Sequence, residues 1–186
     1  MNTHFDIEKI LNKGSITNEL EYERAMIADR KLRLLAKDKP HFKKMRKELR
    51  NIIEQYEIKE WANVDDITNE KVAESDKYEQ VAELERVFIN DRKKKIRKKL
   101  KELNLTQADL AFILGHKSKT YMSELINGIK PFTLRDLIII NRLLKIDMAK
   151  LVPVTLSVED QNKVKDALIK LDNPKLSFSR NDFIFA

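Results

Sequence analysis

Between Thr17 and Lys39, apolar residues recur at Leu20, Ile27 and Leu34, two helical turns apart, behind a candidate capping pair formed by Asn18 and Glu21. The spacing predicts a helix that ends near Lys39, because Pro40 permits a new helix to start. Phe42, Met45, Leu49, Ile52, Ile53 and Tyr56 then fall at i, i+3, i+7, i+10, i+11 and i+14, one unbroken stripe along a second helix. Two amphipathic helices joined by a short turn predict an antiparallel hairpin within residues 1–61. Two helices rarely bury enough surface to be stable alone, so the hairpin is expected to pack on the rest of the chain, on a second copy or on a partner. Residues 62–75 have weak periodicity and several Asp, Asn and Glu, and are read as a linker or irregular segment.

A further helix is predicted to begin near Asp76, with Val81, Leu84, Val87 and Phe88 as its apolar face. It leads into Arg92 to Lys101, where only Ile96 and Leu100 are uncharged. Together with Leu103 these two form a narrow inward stripe that leaves eight cations on the remaining surface. Beyond it, Thr106 can cap a helix with Asp109 at its third position, and Leu110, Ala111 and Leu114 supply an inner face. Gly115 can take the positive φ that ends this helix. Ser118 is placed to cap the next, in which Met122, Leu125 and Ile126 face inward until Gly128 stops it. After Pro131, Thr133 caps a helix whose Leu134, Leu137, Ile138, Leu144 and Ile146 are expected to complete a core, closing a unit over residues 76–152. Within 153–186, Ser157 to Leu171 reads as a helix capped by Ser157 with Asp160 at its third position and stopped by Asn173-Pro174. Leu176, Phe178, Phe183, Ile184 and Phe185 make Lys175 to Ala186 too apolar for a free tail, so this stretch is expected to dock.

Composition agrees with an all-α fold: 3 Gly and 4 Pro in 186 residues suit long helices and short turns, and 42% hydrophobic against 36% charged residues suits amphipathic ones. The absence of cysteine excludes disulfides, thiolate metal sites and a Cys nucleophile. Asp6 and Glu8 interrupt any signal-peptide pattern and no apolar run approaches the ~18 residues needed to cross a bilayer, so a cytoplasmic protein without membrane contact is expected. The net charge of +7 is unevenly distributed: residues 91–150 hold 15 Lys and Arg against 6 Asp and Glu, and the rest of the chain 22 against 24. Local basicity of this kind is the footprint of a polyanion-binding segment, although a solvated Lys-rich helix face gives the same count.

Thr106-Gln107, Leu110-Ala111, Gly115, Ser123-Glu124-Leu125, Asn127-Gly128 and Pro131 together resemble the Cro/repressor-like (XRE) helix-turn-helix family, most closely HigA-type antitoxins of bacterial toxin–antitoxin systems. Upstream, Tyr22-Glu23 and Tyr56-Glu57 sit in a helical region like the one such antitoxins place before the DNA-binding domain. The resemblance implies a lambda-repressor-like fold with the helix-turn-helix at roughly Thr106 to Asn127, an N-terminal helical hairpin and a C-terminal extension. It also implies a second helix lying in the major groove of duplex DNA. Lys119, Thr120, Tyr121, Ser123 and Glu124 are then expected to face bases, and Thr106, Gln107, Lys117, Ser118, Asn127 and Lys130 to meet phosphates. A departure from the family lies at the turn, where His116-Lys117 makes the interval from Gly115 to Ser123 one residue longer. The implied partners are a palindromic operator, a second copy of the chain and a ribonuclease-type toxin.

No catalytic or metal site and no cofactor is expected: His4, His41 and His116 are scattered without ligand spacing, and no Gly-rich phosphate loop is present. Three rivals remain beside the antitoxin reading. An orphan regulator without a toxin, or a primarily protein-binding module, would carry the same motif; a basic helix that binds RNA or ribosomes through Arg92 to Lys101 would be indifferent to Lys119 and Thr120.

Overall fold

The structure, a computed structural model, describes residues 6–63, 65, 67–153, 158–173 and 175–176. Helix α1 (Ile7–Lys13), which the apolar pattern does not announce, is capped by the Asp6 carboxylate accepting from Glu8 N–H and ends at Gly14 in the left-handed region. Helix α2 (Glu19–Leu35) starts where expected, the Asn18 side chain accepting from Glu21 N–H at 2.8 Å. Its buried face is Ala25, Ala28 and Leu32 rather than the stripe through Leu20, Ile27 and Leu34, and Leu34 is 67% exposed. The small alanines mark the inward face because α2 packs against both α3 and α4, where close approach outweighs side-chain bulk. A short 3-10 turn, Ala36–Asp38, delivers the chain to Pro40 at the start of α3 (Pro40–Trp61), and all six residues of the predicted α3 stripe are buried. The two helices pair as a hairpin, with α1 added to it.

Helix α4 (Asn69–Glu102) runs unbroken for 34 residues, about 50 Å at 1.5 Å per residue. Residues 69–75, read from sequence as linker, are therefore its first two turns. Thr68 caps them, accepting from Lys71 N–H at 3.2 Å, and neighbouring elements hold them: Lys71 donates to the Glu60 carbonyl and lies over the Trp61 ring, and Ser75 Oγ donates to Glu19. Tertiary contacts thus supply what weak periodicity does not. The buried stripe is Ala82, Ile89, Arg92, Ile96 and Leu100; Leu84 and Val87, assigned inward from sequence, are exposed. Arg92 is a second correction, because it turns inward rather than joining the outer cations. Its Nη1 donates to the Leu151 carbonyl at 3.2 Å, its guanidinium lies 5.3 Å from the Phe132 ring centroid, and burial lowers its pKa to about 10, which leaves it charged at neutral pH.

Two cores result. The first joins α1, α2 and α3; the second joins the last turns of α4 to α5 (Gln107–Leu114), α6 (Lys119–Asn127), α7 (Leu134–Leu144) and Leu151, which follows a 3-10 turn at Met148–Lys150. As expected, Leu110, Ala111, Leu114, Met122, Leu125, Ile126, Leu137, Leu144 and Ile146 belong to the second core. Leu134 and Ile138 do not: they are 66% and 40% exposed, and Ile140 takes the inner face of α7 instead. The fold is all-α and lambda-repressor-like, with no strand among the described residues. Helix α8 (Val158–Leu171) follows, near its expected span; the Ser157 cap, the Asp160 side chain and most of the tail from Lys175 to Ala186 lie outside the described residues. No helix among the described residues is long and apolar enough to cross a membrane.

The two cores meet behind α6. Ile129 is fully buried in the first core although the helix it follows belongs to the second, and its carbonyl accepts from Ile7 N–H at 3.4 Å. Gly128 makes this possible: it lies at φ +67°, and a Cβ there would sit 2.6 Å from Ile89 Cγ2 of α4. Gly128→Ala combines left-handed strain with overpacking against a branched side chain, and is expected to destabilise the chain by roughly 2–4 kcal/mol in denaturant unfolding. Gly14→Ala, with nothing within 4 Å of its Cβ, should show the strain alone, roughly 1 kcal/mol.

Candidate nucleic-acid interface

The sequence of α5 and α6 dictates a capped helix, a turn and a second capped helix. Thr106 Oγ1 accepts from Asp109 N–H at 3.2 Å, while Asp109 Oδ2 accepts from Thr106 N–H at 2.7 Å, a complete capping box. Helix α5 closes at Gly115 (φ +82°), with His116 N–H donating to the Ala111 carbonyl at 2.8 Å, the wider-spanning bond of the Schellman pattern. Ser118 Oγ accepts from Tyr121 N–H at 3.1 Å and starts α6. The extra turn residue has a use. His116 sets its ring edge-on to Tyr121 (centroids 5.0 Å apart) and its Nε2 3.3 Å from Asp136 Oδ1, without hydrogen-bond alignment. Asp136 is the buried capping carboxylate of α7, so the longer turn is tied to the third helix of the domain.

The structure leaves Thr106, Lys117, Ser118 and Lys119 exposed and Gln107, Thr120 and Tyr121 half-buried. Five nominated residues, Thr106, Gln107, Lys119, Ser123 and Asn127, line one groove of roughly 530 Å³. Lys93 and Arg97 of α4 line it too, and no Asp or Glu among the described residues does. Burial first, and then the nearby Arg97 charge, hold the Lys93 pKa below the ordinary lysine value. The outward side of the last α4 turns, the start of α5 and the start of α6 therefore form one cationic concavity.

Four nominated residues are placed differently from expectation. Glu124, expected to face bases, is 2% exposed: its Oε1 lies 2.6 Å from His41 Nε2 of α3, and its Oε2 3.2 Å from Lys130 Nζ. Lys130, expected on phosphate, is held by Glu124 and by Glu8 of α1 (2.5 Å) and lies over the Tyr121 ring. Burial opposes its charge, but the two carboxylates more than offset that and hold its pKa above the usual lysine value. Asn127 donates to the Ser123 carbonyl at 2.7 Å and accepts from Lys93 at 2.6 Å; both its side chain and Ser123 are buried. The reason is common to all four. In the isolated motif these side chains would face solvent, whereas here Glu8 of α1 holds Lys130, His41 of α3 meets Glu124, and Lys93 of α4 meets Asn127, which in turn bonds Ser123. One sequence signal was available: an isoleucine directly after the helix-stopping Gly128, where an exposed loop would carry a polar residue.

Residues 96–151 match the helix-turn-helix family model. The match begins inside α4 and ends at Leu151, so it spans the second core and omits the first. No curated protein and no solved structure matches the chain. The matched segment is a helix-turn-helix DNA-binding domain of the Cro/repressor type, and the chain is a DNA-binding regulator.

Lys130 should behave as a structural cation. Lys130→Ala leaves the buried Glu124 with His41 alone, and is expected to destabilise the fold by on the order of 3 kcal/mol in thermal unfolding. The salt dependence of DNA binding by the remaining folded protein should stay parental, whereas Lys117→Ala should lower its slope by about one unit.

Proposed function

We propose that the chain is a transcriptional repressor that reads operator DNA with the first turn of α6 and acts without catalysis. Lys119 and Thr120 are the base-reading side chains, and Thr106, Gln107, Lys117 and Ser118 fix the register on phosphates. The observation that carries this reading is the acid-free groove at the joint N-termini of α5 and α6, with Lys93, Arg97 and Lys119 around it. Lys119 suits the N7 and O6 acceptors of guanine, and Thr120 can bond a base edge or offer its methyl to thymine. With Glu124 covered, each subunit reads few base pairs, and two-fold pairing on a palindromic operator restores affinity. Phe112 (86% exposed) on α5, and Leu134 and Ile138 one turn apart on α7, supply apolar surface for a second copy to bury.

The finer assignment, a HigA-type antitoxin that represses its own operon and neutralises a ribonuclease-type toxin, rests on the sequence resemblance. The N-terminal core gives such a toxin surface away from the first turn of α6. Within that core the Tyr22 and Tyr56 rings stack at 5.1 Å; Tyr22 donates to Glu57 and Tyr56 to Glu19, each across the α2–α3 pair. Co-expression with the product of an adjacent reading frame tests the assignment: rescue from a growth-arresting ribonuclease supports it, and the lack of any toxic neighbour leaves an orphan regulator.

Two outcomes are expected from selected operator DNA. Lys119→Ala or Thr120→Ala should weaken cognate binding by roughly 1–3 kcal/mol and leave scrambled duplex binding nearly unchanged, read by fluorescence anisotropy. Parental affinity and selectivity in both variants would show that the reading helix is misplaced. Leu134→Asp should convert a dimer to a monomer in light scattering and weaken operator binding; a parental mass would remove α7 from the dimer face.

A further inference from the structure

The sequence holds a second basic segment that averaging over the chain conceals. Residues 30–50 contain ten Lys and Arg against Asp38 and Glu48, and they cover the last turns of α2, the turn and the first half of α3. The fold brings this segment beside the helix-turn-helix. Leu35 and Lys39 form the hairpin wall of the groove whose other walls carry Lys93, Arg97 and Lys119. A second groove, of roughly 510 Å³, shares Leu35, Lys93 and Asn127 with the first and continues along α2 and α4 between Arg30, Lys31, Arg33 and Arg86. The two grooves form one channel running from the N-terminus of α6 onto the N-terminal unit.

Its charge is not balanced from within. Glu83, which lines the second groove, is paired with Arg86, and neighbouring Glu85 is paired with Arg24. Lys31 lies among these cations: burial first, and then the nearby charges of Arg86, Lys93 and Arg92, press its pKa down to about 8, and Glu85 only partly opposes them. Cations gathered at this density, with Glu83 and Glu85 already paired, raise a positive potential that a polyanion can discharge. The order of the cations along one channel that begins at the reading helix favours an extended polyanion already held there.

We propose that the N-terminal hairpin is part of the DNA interface, its Arg30, Arg33 and Lys39 tracking the phosphate backbone of the duplex that α6 reads. The proposal rests on the DNA-binding reading and deepens it. Phosphate contacts carry no sequence information, so the hairpin adds affinity and footprint while Lys119 and Thr120 carry selectivity. This compensates for a reading helix whose second half is covered.

The test is a salt titration of the full chain and of an Arg30→Ala/Arg33→Ala/Lys39→Ala variant against a fluorescein-labelled duplex of random sequence, about three and a half helical turns long. All three side chains are exposed, so the variant should keep its unfolding midpoint, which thermal denaturation checks. The expected result is a fall of roughly 2–3 in the slope of log affinity against log salt, about 0.9 for each phosphate that the variant no longer neutralises. A parental slope overturns the proposal, as does tighter binding by the variant, which would make the hairpin a cover over α6. Stronger competition by single-stranded RNA of equal length than by duplex overturns it as well. A parental slope together with selectivity abolished in Thr120→Ala removes the hairpin alone, whereas a full chain that binds no duplex at low salt removes the DNA-binding reading itself.

Discussion

The structure depends on the double burial of the segment from Met122 to Ile129. Met122, Leu125 and Ile126 face the core of the helix-turn-helix, whereas Glu124, Asn127 and Ile129 face the N-terminal unit and α4. An α-helix can serve two cores only if opposite sides carry compatible groups, and here one side is aliphatic while the other is polar but fully partnered. Glu124 and Lys130 satisfy each other and reach to His41 and Glu8; Asn127 satisfies Ser123 and Lys93. Ile129 then adds an apolar side chain whose full burial is worth about 2–3 kcal/mol to the joint.

Helix α4 runs through this joint without a break. It packs against α2, buries Ala82 and Ile89 along its length, and its last turns supply Ile96 and Leu100 to the second core. No loop separates the two units at this point, so the N-terminal unit is set relative to the reading helix by helix geometry rather than by a linker. Buried Arg92 sits at the crossover, anchoring α4 to the carbonyl of Leu151 at the far end of the domain. A charge so placed is costly to desolvate, and its hydrogen bond and two aromatic neighbours offset part of that cost.

The functional consequence is a division of labour. A helix-turn-helix on its own reads DNA along much of one helix face; this one keeps only the first turn of α6 open and surrounds it with cations from several elements. Lys119 lines the acid-free groove with Thr120 beside it, and the residues withdrawn from DNA hold the second unit in place. On the proposed reading, specificity and positioning fall on different parts of the chain.

The sequence by itself determined the all-α fold, the α3 stripe, the caps at Thr106, Ser118 and Thr133, and the helix-turn-helix around Gly115. These are local matters: a hydroxyl beside free amides, a glycine at positive φ and a 3.6-residue period act within a turn or two wherever the chain goes. It did not reveal the inward faces of α2 and α4, because Ala25, Ala28 and Ala82 are buried for their smallness, which matters only once a neighbouring helix arrives. Nor did it show that residues 69–75 are helical, since their support comes from Glu19, Glu60 and Trp61, distant in sequence. Leu134 and Ile138 fit the helical period and yet lie outside, because their position decides only that they share a face, not that the face is covered. Glu124 and Lys130 occupy reading and phosphate positions of the motif, and nothing local distinguishes them from residues that touch DNA. Only the tertiary structure, by bringing Glu8 and His41 against them, decided that their charges are spent on holding the protein together.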